Sequence, residues 1–329
     1  MHSVKQILGA LVLLMSIGSS HAFAWGCDGH QAVAILAERL LSPATLTTMR
    51  TVLAASPVDP TIKPFCPPVA GDPIANAATW ADDNRTIDPS TAGWHFINLP
   101  LILGADAGDY RQYCPRGNCV VDAIVSQYRV LTTTTDPKLK GNALRYLIHF
   151  IGDLHQPLHT TTNGDRGGNC VPITYYDQAP REDEFHNFRP NLHSVWDDGT
   201  IRRLMMRQGL VDSRALADYI MREGSLPPAR PQAPTAALIA SWAKDISALA
   251  RTVAFGKLSV NVPMEPAEAF AMASCDDNNH ASRRMAALGE KIDASYERAS
   301  VPVILSELRL GAGRLAAVMK AAFPEASVR

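Results

Sequence analysis

Residues 142–159 read NALRYLIHFIGDLHQPLH, and this stretch decides the fold class. Leu144, Leu147, Ile148 and Ile151 recur at three- and four-residue intervals, which predicts an α-helix over residues 142–154. His149 and Asp153 stand one helical turn apart, so an imidazole and a carboxylate project together from or beside a buried apolar face. Polar groups in that setting are costly unless something ligates them. An imidazole and a carboxylate so placed can serve one metal ion or two adjacent ions.

The same interval returns in LHSVWD, where His193 and Asp197 again share one side of a helical turn. A single pair of this kind is most often a surface hydrogen bond, but two pairs in one chain are harder to dismiss. Other donors lie at two further points. Trp25-Gly-Cys-Asp-Gly-His30 places an imidazole five residues after a tryptophan, and Trp80-Ala-Asp82-Asp83-Asn84-Arg85 is followed by Trp94-His95-Phe96-Ile97-Asn98. Arg85, three residues beyond Asp82, can reach an anion held beside a metal.

Outward from this core the chain is mainly α. Helical periodicity is expected over residues 30–41, 235–255 and 281–323, the last broken near Pro302. Strand signal is confined to residues 170–176, after a glycine-rich turn at 163–169. Proline-rich loops at 56–73 and 225–234 are too short to be domain linkers, so a single α-helical domain with a short strand or hairpin is the economical reading.

Residues 1–24 read as a signal peptide: Lys5 is the basic end, Ile7 to Ile17 the short apolar run, and Ala22-Phe23-Ala24 the cleavage triplet. Cleavage leaves Trp25 as a free amine able to bind metal, a domain over residues 25–329, and a secreted or periplasmic product. All six cysteines survive it. In an exported chain they read as disulfides, and no C-x-x-C pair supports a zinc-thiolate site. Cys114 and Cys119 form a local pair; of the pairings open to the other four, Cys27–Cys66 and Cys170–Cys275 are expected.

With 31 Lys+Arg against 32 Asp+Glu in 329 residues, the net charge of −1 excludes a basic, backbone-gripping nucleic-acid binder. A hydrophobic content of 47% excludes wholesale disorder. No stretch is long and apolar enough to span a membrane. The sequon Asn84-Arg85-Thr86 falls inside the candidate site and is read as coincidental.

Together, WADDNR, WHFINLP, HFIGDLHQPLH, GGN and NLHSVWD resemble the zinc-dependent, single-strand-specific class I nucleases, a family related in fold to zinc phospholipase C. The resemblance implies three zinc ions and a matching residue at all nine protein ligand positions. Asp82, His95 and His149 hold one ion; the Trp25 amine and carbonyl with His30 hold its close partner; Asp153 bridges the two. His159, His193 and Asp197 hold the third. It further implies hydrolysis of single-stranded DNA and RNA by a metal-bridging hydroxide, giving 5′-phosphate products, and removal of 3′-phosphate from nucleotides, by a monomer. Asp82 orients the attacking water, Arg85 neutralises phosphoryl charge, Phe96 stacks on a base and position 98 contacts the base edge. Asn98 departs from the Asp of several relatives, which leaves base preference open. A lone Phe beside a His reads otherwise as a core side chain. His155, His186 and His280 match no ligand position. A zinc phospholipase C and a non-enzymatic exported zinc-binding protein are the alternatives. WADDNR, HQPLH and an Asp at position 197 favour the nuclease over the lipase, and Arg85 with its aromatic neighbour argues against storage.

Overall fold

The computed structural model describes residues 25–183, 187–259, 275 and 289–325. The signal segment, His186 and His280 lie outside the described residues. Helices α1 (Gly26–Glu38), α2 (Pro43–Ala54), α3 (Pro73–Ala77) and α4 (Trp80–Asn84) form the first half, followed by α5 (Val120–Thr133) and α6 (Pro137–Leu154). The second half carries α7 (Leu192–Ser194), α8 (Thr200–Gln208), α9 (Ser213–Arg222), α10 (Ala236–Leu249) and α11 (Ala294–Ala322). Three two-residue strand pairs complete it: β1 (Leu99–Pro100) runs parallel to β2 (Thr161–Thr162), β3 (Thr174–Tyr175) parallel to β6 (Lys291–Ile292), and β4 (Arg181–Glu182) antiparallel to β5 (Phe188–Arg189).

Helix α6 is the axis. Asp136 caps its start, accepting hydrogen bonds from the Lys138 and Leu139 amides with Pro137 in the first turn. Every residue from Ala143 to Leu154 is buried, as expected of a helix packed on all sides. α5 and α11 pack against it along with α2 and α4, while α1 packs on α9 and α11. One hydrophobic cluster joins these elements, with Trp25, Phe150 and Trp196 among its most deeply buried side chains. All three expected disulfides are formed, Cys27–Cys66, Cys114–Cys119 and Cys170–Cys275. The first ties the start of α1 to the proline-rich loop.

Two expectations are corrected. Within the described residues, the final helix begins at Ala294, capped by Asp293, after strand β6. It also runs unbroken through Pro302. Pro302 and Arg298, whose carbonyl loses its helical partner, are both exposed, so water can satisfy the freed group. The strand expected over 170–176 reduces to Thr174–Tyr175. No helix among the described residues is long and apolar enough to cross a membrane.

Candidate metal centre

Eight side chains, His30, Asp82, His95, His149, Asp153, His159, His193 and Asp197, converge on the C-terminal end of α6, and all eight residues are buried. They form three groups, His30 with His149 and Asp153, Asp82 with His95 and His149, and His159 with His193 and Asp197. Within each group the potential ligand atoms lie within 4.8 Å of one another.

Each donor has a local structural reason. His30 faces Gly152 on α6, where an added Cβ would meet its Nδ1 at 2.8 Å; glycine is what lets α1 approach this closely. The His30 and His149 rings stack with centroids 4.1 Å apart. Asp82 lies in α4, and Arg85 at that helix's end places Nη2 2.7 Å from Asp82 Oδ1. His95 ends a 3-10 turn and the chain then becomes extended, so side chains alternate: His95 is buried, Phe96 39% exposed, Ile97 buried and Asn98 half-buried. Phe96 is thus a surface ring rather than a core one. The β1–β2 pairing fixes the His95 segment against the His159 segment, and the Ile97 amide donates to His159 O at 2.8 Å. His193 and Asp197 sit where α7 opens into a π-helical turn over Val195–Gly199, with His193 Nε2 3.1 Å from Asp197 Oδ2.

On three of the five histidines the outward-facing ring nitrogen is committed to a backbone oxygen. His149 Nδ1 donates to Ala78 O at 2.7 Å, His159 Nδ1 to His95 O at 2.9 Å and His193 Nδ1 to Gly167 O at 2.7 Å. These bonds select the tautomers whose Nε2 lone pairs point into the site. Asp153 Oδ2 lies 2.9 Å from His95 Nδ1 and 3.1 Å from His149 Nε2, while Oδ1 lies 3.2 Å from His30 Nε2. His30 Nε2, Asp153 Oδ1 and Asp197 Oδ2 are buried without a hydrogen-bond partner. Orphaned buried acceptors around shared points are the arrangement cations satisfy. The donor set, imidazole and carboxylate without thiolate, fits zinc.

Electrostatics agree. Burial pulls His30 and His159 below the ordinary histidine value and His95 down to about 4, so these rings are neutral near pH 7 and able to ligate a cation. On His149 burial is outweighed by the Asp153 and Asp82 carboxylates, which lift it to about 9 without metal. Burial likewise opposes ionisation of Asp153, yet His149, His30 and His95 together hold it well below the carboxylate range.

Several supports carry no ligand and escape a reading by residue type. Gln156 Nε2 donates to Asp197 Oδ1 at 2.5 Å while its Oε1 accepts from the Leu158 amide. Asp165 Oδ1 accepts from the Asn163 and Gly168 amides, fixing the turn whose Gly167 carbonyl orients His193. That turn needs Gly167 itself: its φ is +62° and a Cβ would lie 2.3 Å from Leu158 O. The NGDRGG run was the available signal. The Trp25 indole N–H donates to Gly152 O at 2.9 Å, which seats the start of α1 against the turn of α6 carrying Asp153. His155 joins none of the three groups; its Nδ1 donates to Ile151 O and its Nε2 accepts from Arg314 at 2.9 Å.

The sequence matches the S1/P1 nuclease family over residues 25–324. Nuclease S1 of Aspergillus oryzae is 30% identical over 185 residues, covering 53% of this chain and 54% of that protein. Nuclease P1 of Penicillium citrinum is 29% identical over 205 residues, 60% of this chain and 66% of that one. Endonuclease 5 of Arabidopsis thaliana is 27% identical over 321 residues, 92% of this chain and 91% of that protein. The matched region therefore spans about half to two thirds of the fungal relatives and nine tenths of the plant one.

Proposed function

Because the chain belongs to the S1/P1 nuclease family, we propose that it is an exported zinc-dependent endonuclease that hydrolyses phosphodiester bonds of single-stranded DNA and RNA. The observation that carries this reading is the convergence of eight buried donors in three groups whose lone pairs face one another. Asp82, His95 and His149 would hold one zinc, His30 with the Trp25 amine and carbonyl a second, Asp153 both, and His159, His193 and Asp197 a third. Bound zinc neutralises phosphate charge and acidifies water beside it.

The protein's own groups then divide the work. Asp82 accepts a hydrogen bond from the attacking water and orients it toward phosphorus. Arg85, 19% exposed at the rim, donates to a non-bridging phosphoryl oxygen as charge builds there. Water adds its OH to phosphorus and its remaining proton ends on O3′, so the P–O3′ bond breaks and the products carry a 5′-phosphate and a free 3′-hydroxyl. The same chemistry releases phosphate from 3′-nucleotides. Phe96 offers an exposed ring on which any unpaired base can stack, which favours single strands, and Asn98 can donate to or accept from the base edge. Three aspartates bring −3 to the site and three zinc ions +6, so the cation that meets the phosphate is metal rather than a basic surface. The mature form is a secreted or periplasmic monomer with one domain over residues 25–329.

Parallel assays on single-stranded DNA, RNA, duplex DNA, 3′-AMP and phosphatidylcholine, with metal analysis of protein starting at Trp25, test the reading. Single-strand cleavage and 3′-phosphatase activity with about three zinc ions are expected. Lipid turnover without nucleic-acid cleavage would overturn it. Full zinc content in protein carrying one residue before Trp25 would remove the amine from the ligand set.

A further inference from the structure

A cavity of about 700 Å³ lies between the end of α2, the proline-rich loop, α3 and α4, with Arg145 of α6 on its wall. Its size is that of a small-molecule site. Leu53, Ile62 and Pro67 contribute to walls that are mostly apolar, and Trp80 and Arg145 line it as well. Arg145 projects from the middle of α6 and is only 4% exposed. It bonds to the Ser56 hydroxyl and carbonyl and to Asn142, all uncharged, and no carboxylate pairs with it among the described residues. Burial without a counter-charge pulls its guanidinium down to about 10. An arginine this deep is ordinarily paired.

A second observation points the same way. Trp80 is 6% exposed and its indole Nε1 has no acceptor among the described residues. The Arg145 guanidinium lies 5.4 Å from the Trp80 ring centroid, so the two buried donors share one region. The amides lining the cavity are already spent: Gln31 donates to Pro67 O and accepts from Ser213, and Asn76 both accepts from the Val69 amide and donates to its carbonyl. Arg50 is paired with Glu38. What Arg145 lacks, among the described residues, is a carboxylate partner. Asp83, on its wall, is spent on the Phe65 amide, and a dianion brought here would face that carboxylate with one cation to offset it, so a single charge suits the site.

We propose that this cavity binds a small organic carboxylate with a flat apolar body, its single charge seated between Arg145 and the Trp80 indole N–H. Isothermal titration of 2-naphthoate into the zinc-loaded mature protein tests this, with neutral 2-naphthamide as control. One-to-one binding is expected, at least about tenfold weaker for the amide and at least about tenfold weaker for Arg145→Met, since a buried charge pair is worth more than that factor. Arg145 also anchors Ser56, so Arg145→Met can fail to fold; Ala54→Trp fills the exposed mouth of the cavity and leaves the arginine in place. Abolished binding in Ala54→Trp supports the assignment. No binding to the parent protein, equal binding of the amide, or undiminished binding in Ala54→Trp overturns it, the last by placing the ligand elsewhere, such as the metal centre.

Discussion

His159 Nε2 and His193 Nε2 face each other across 3.1 Å, while each ring's Nδ1 is committed to a backbone carbonyl. Two acceptor lone pairs at that distance repel unless a proton or a cation stands between them. Without metal a proton can do it: burial keeps His159 below its ordinary value, whereas Asp197 overcomes burial at His193 and raises it. A divalent cation does it better, because Asp197 then completes the group. Chelator-treated protein should therefore lose activity and melt earlier. An ion held at about 1,000 times its dissociation constant adds about 4 kcal/mol of stability. An unchanged melting temperature after verified metal removal would sink this account of the pair.

Gln156 acts on the same group from outside. The hydrogen bond its side-chain amide donates to Asp197 Oδ1 fixes which carboxylate oxygen faces His193. Gln156→Leu keeps the volume and removes the bond, so zinc affinity should fall roughly 10–100-fold, with activity recovered at high zinc. Competition with a metal indicator measures this directly. Unaltered affinity would mean that Asp197 is oriented by the backbone alone.

At Gly152 two effects of opposite sign can be weighed. Alanine in a helix interior is worth about 1 kcal/mol over glycine. Here, however, the new Cβ would sit 2.8 Å from His30 Nδ1, and overpacking of that kind costs about 1–3 kcal/mol. Gly152→Ala should thus be destabilised in denaturant titration and should bind less zinc, since His30 must shift. A more stable variant with full metal content would show that α1 yields without strain.

His155 supplies a pH dependence away from the metal. Burial, and next the Arg314 charge, lower it to about 3, against an unfolded value near 6.5. The folded state thus holds this ring neutral while the unfolded chain takes up a proton below pH 6.5. Stability from this group is fully present above pH 6.5 and is lost as pH falls toward 3. The full effect is up to about 5 kcal/mol. His155→Gln, less stable at neutral pH, should show a shallower acid slope in thermal melts between pH 6.5 and 4. An identical slope would assign the acid sensitivity to other groups.

Much of this site was legible because residue type and spacing carry it. The four aliphatic positions around His149 mark α6, and one helical turn delivers Asp153 beside it. The local disulfide Cys114–Cys119 and the two helical His–Asp pairs follow similarly, whereas spacing left the partners of the other four cysteines open. Backbone groups are different, since any residue supplies a carbonyl. Nothing in the letters says that Ala78, His95 and Gly167 will orient three imidazoles, because that depends on how turns fold against one another. Pro302 misleads for the converse reason: a helix tolerates proline where water reaches the released carbonyl, and exposure at that position is a tertiary fact. Phe96 lies between these cases. Taken alone it reads as core, yet the alternation His95, Phe96, Ile97, Asn98, Leu99 puts every second side chain inward and leaves the ring outside.

That outward ring gives the sharpest test of how substrate is held. Stacking of one base on an aromatic side chain is worth about 1–3 kcal/mol. Phe96 touches no metal group and its backbone carbonyl accepts from the Val120 amide whatever the side chain is. Phe96→Ala should therefore raise KM for short single strands by a factor of about 5 to 150. Because the ring binds ground state and transition state alike, kcat should hardly change. Phe96→Trp should preserve or lower KM. The separation matters: loss of kcat with unchanged KM would mean that Phe96 positions the scissile phosphate, and loss of zinc from the alanine variant would mean that it serves only to hold His95 in place.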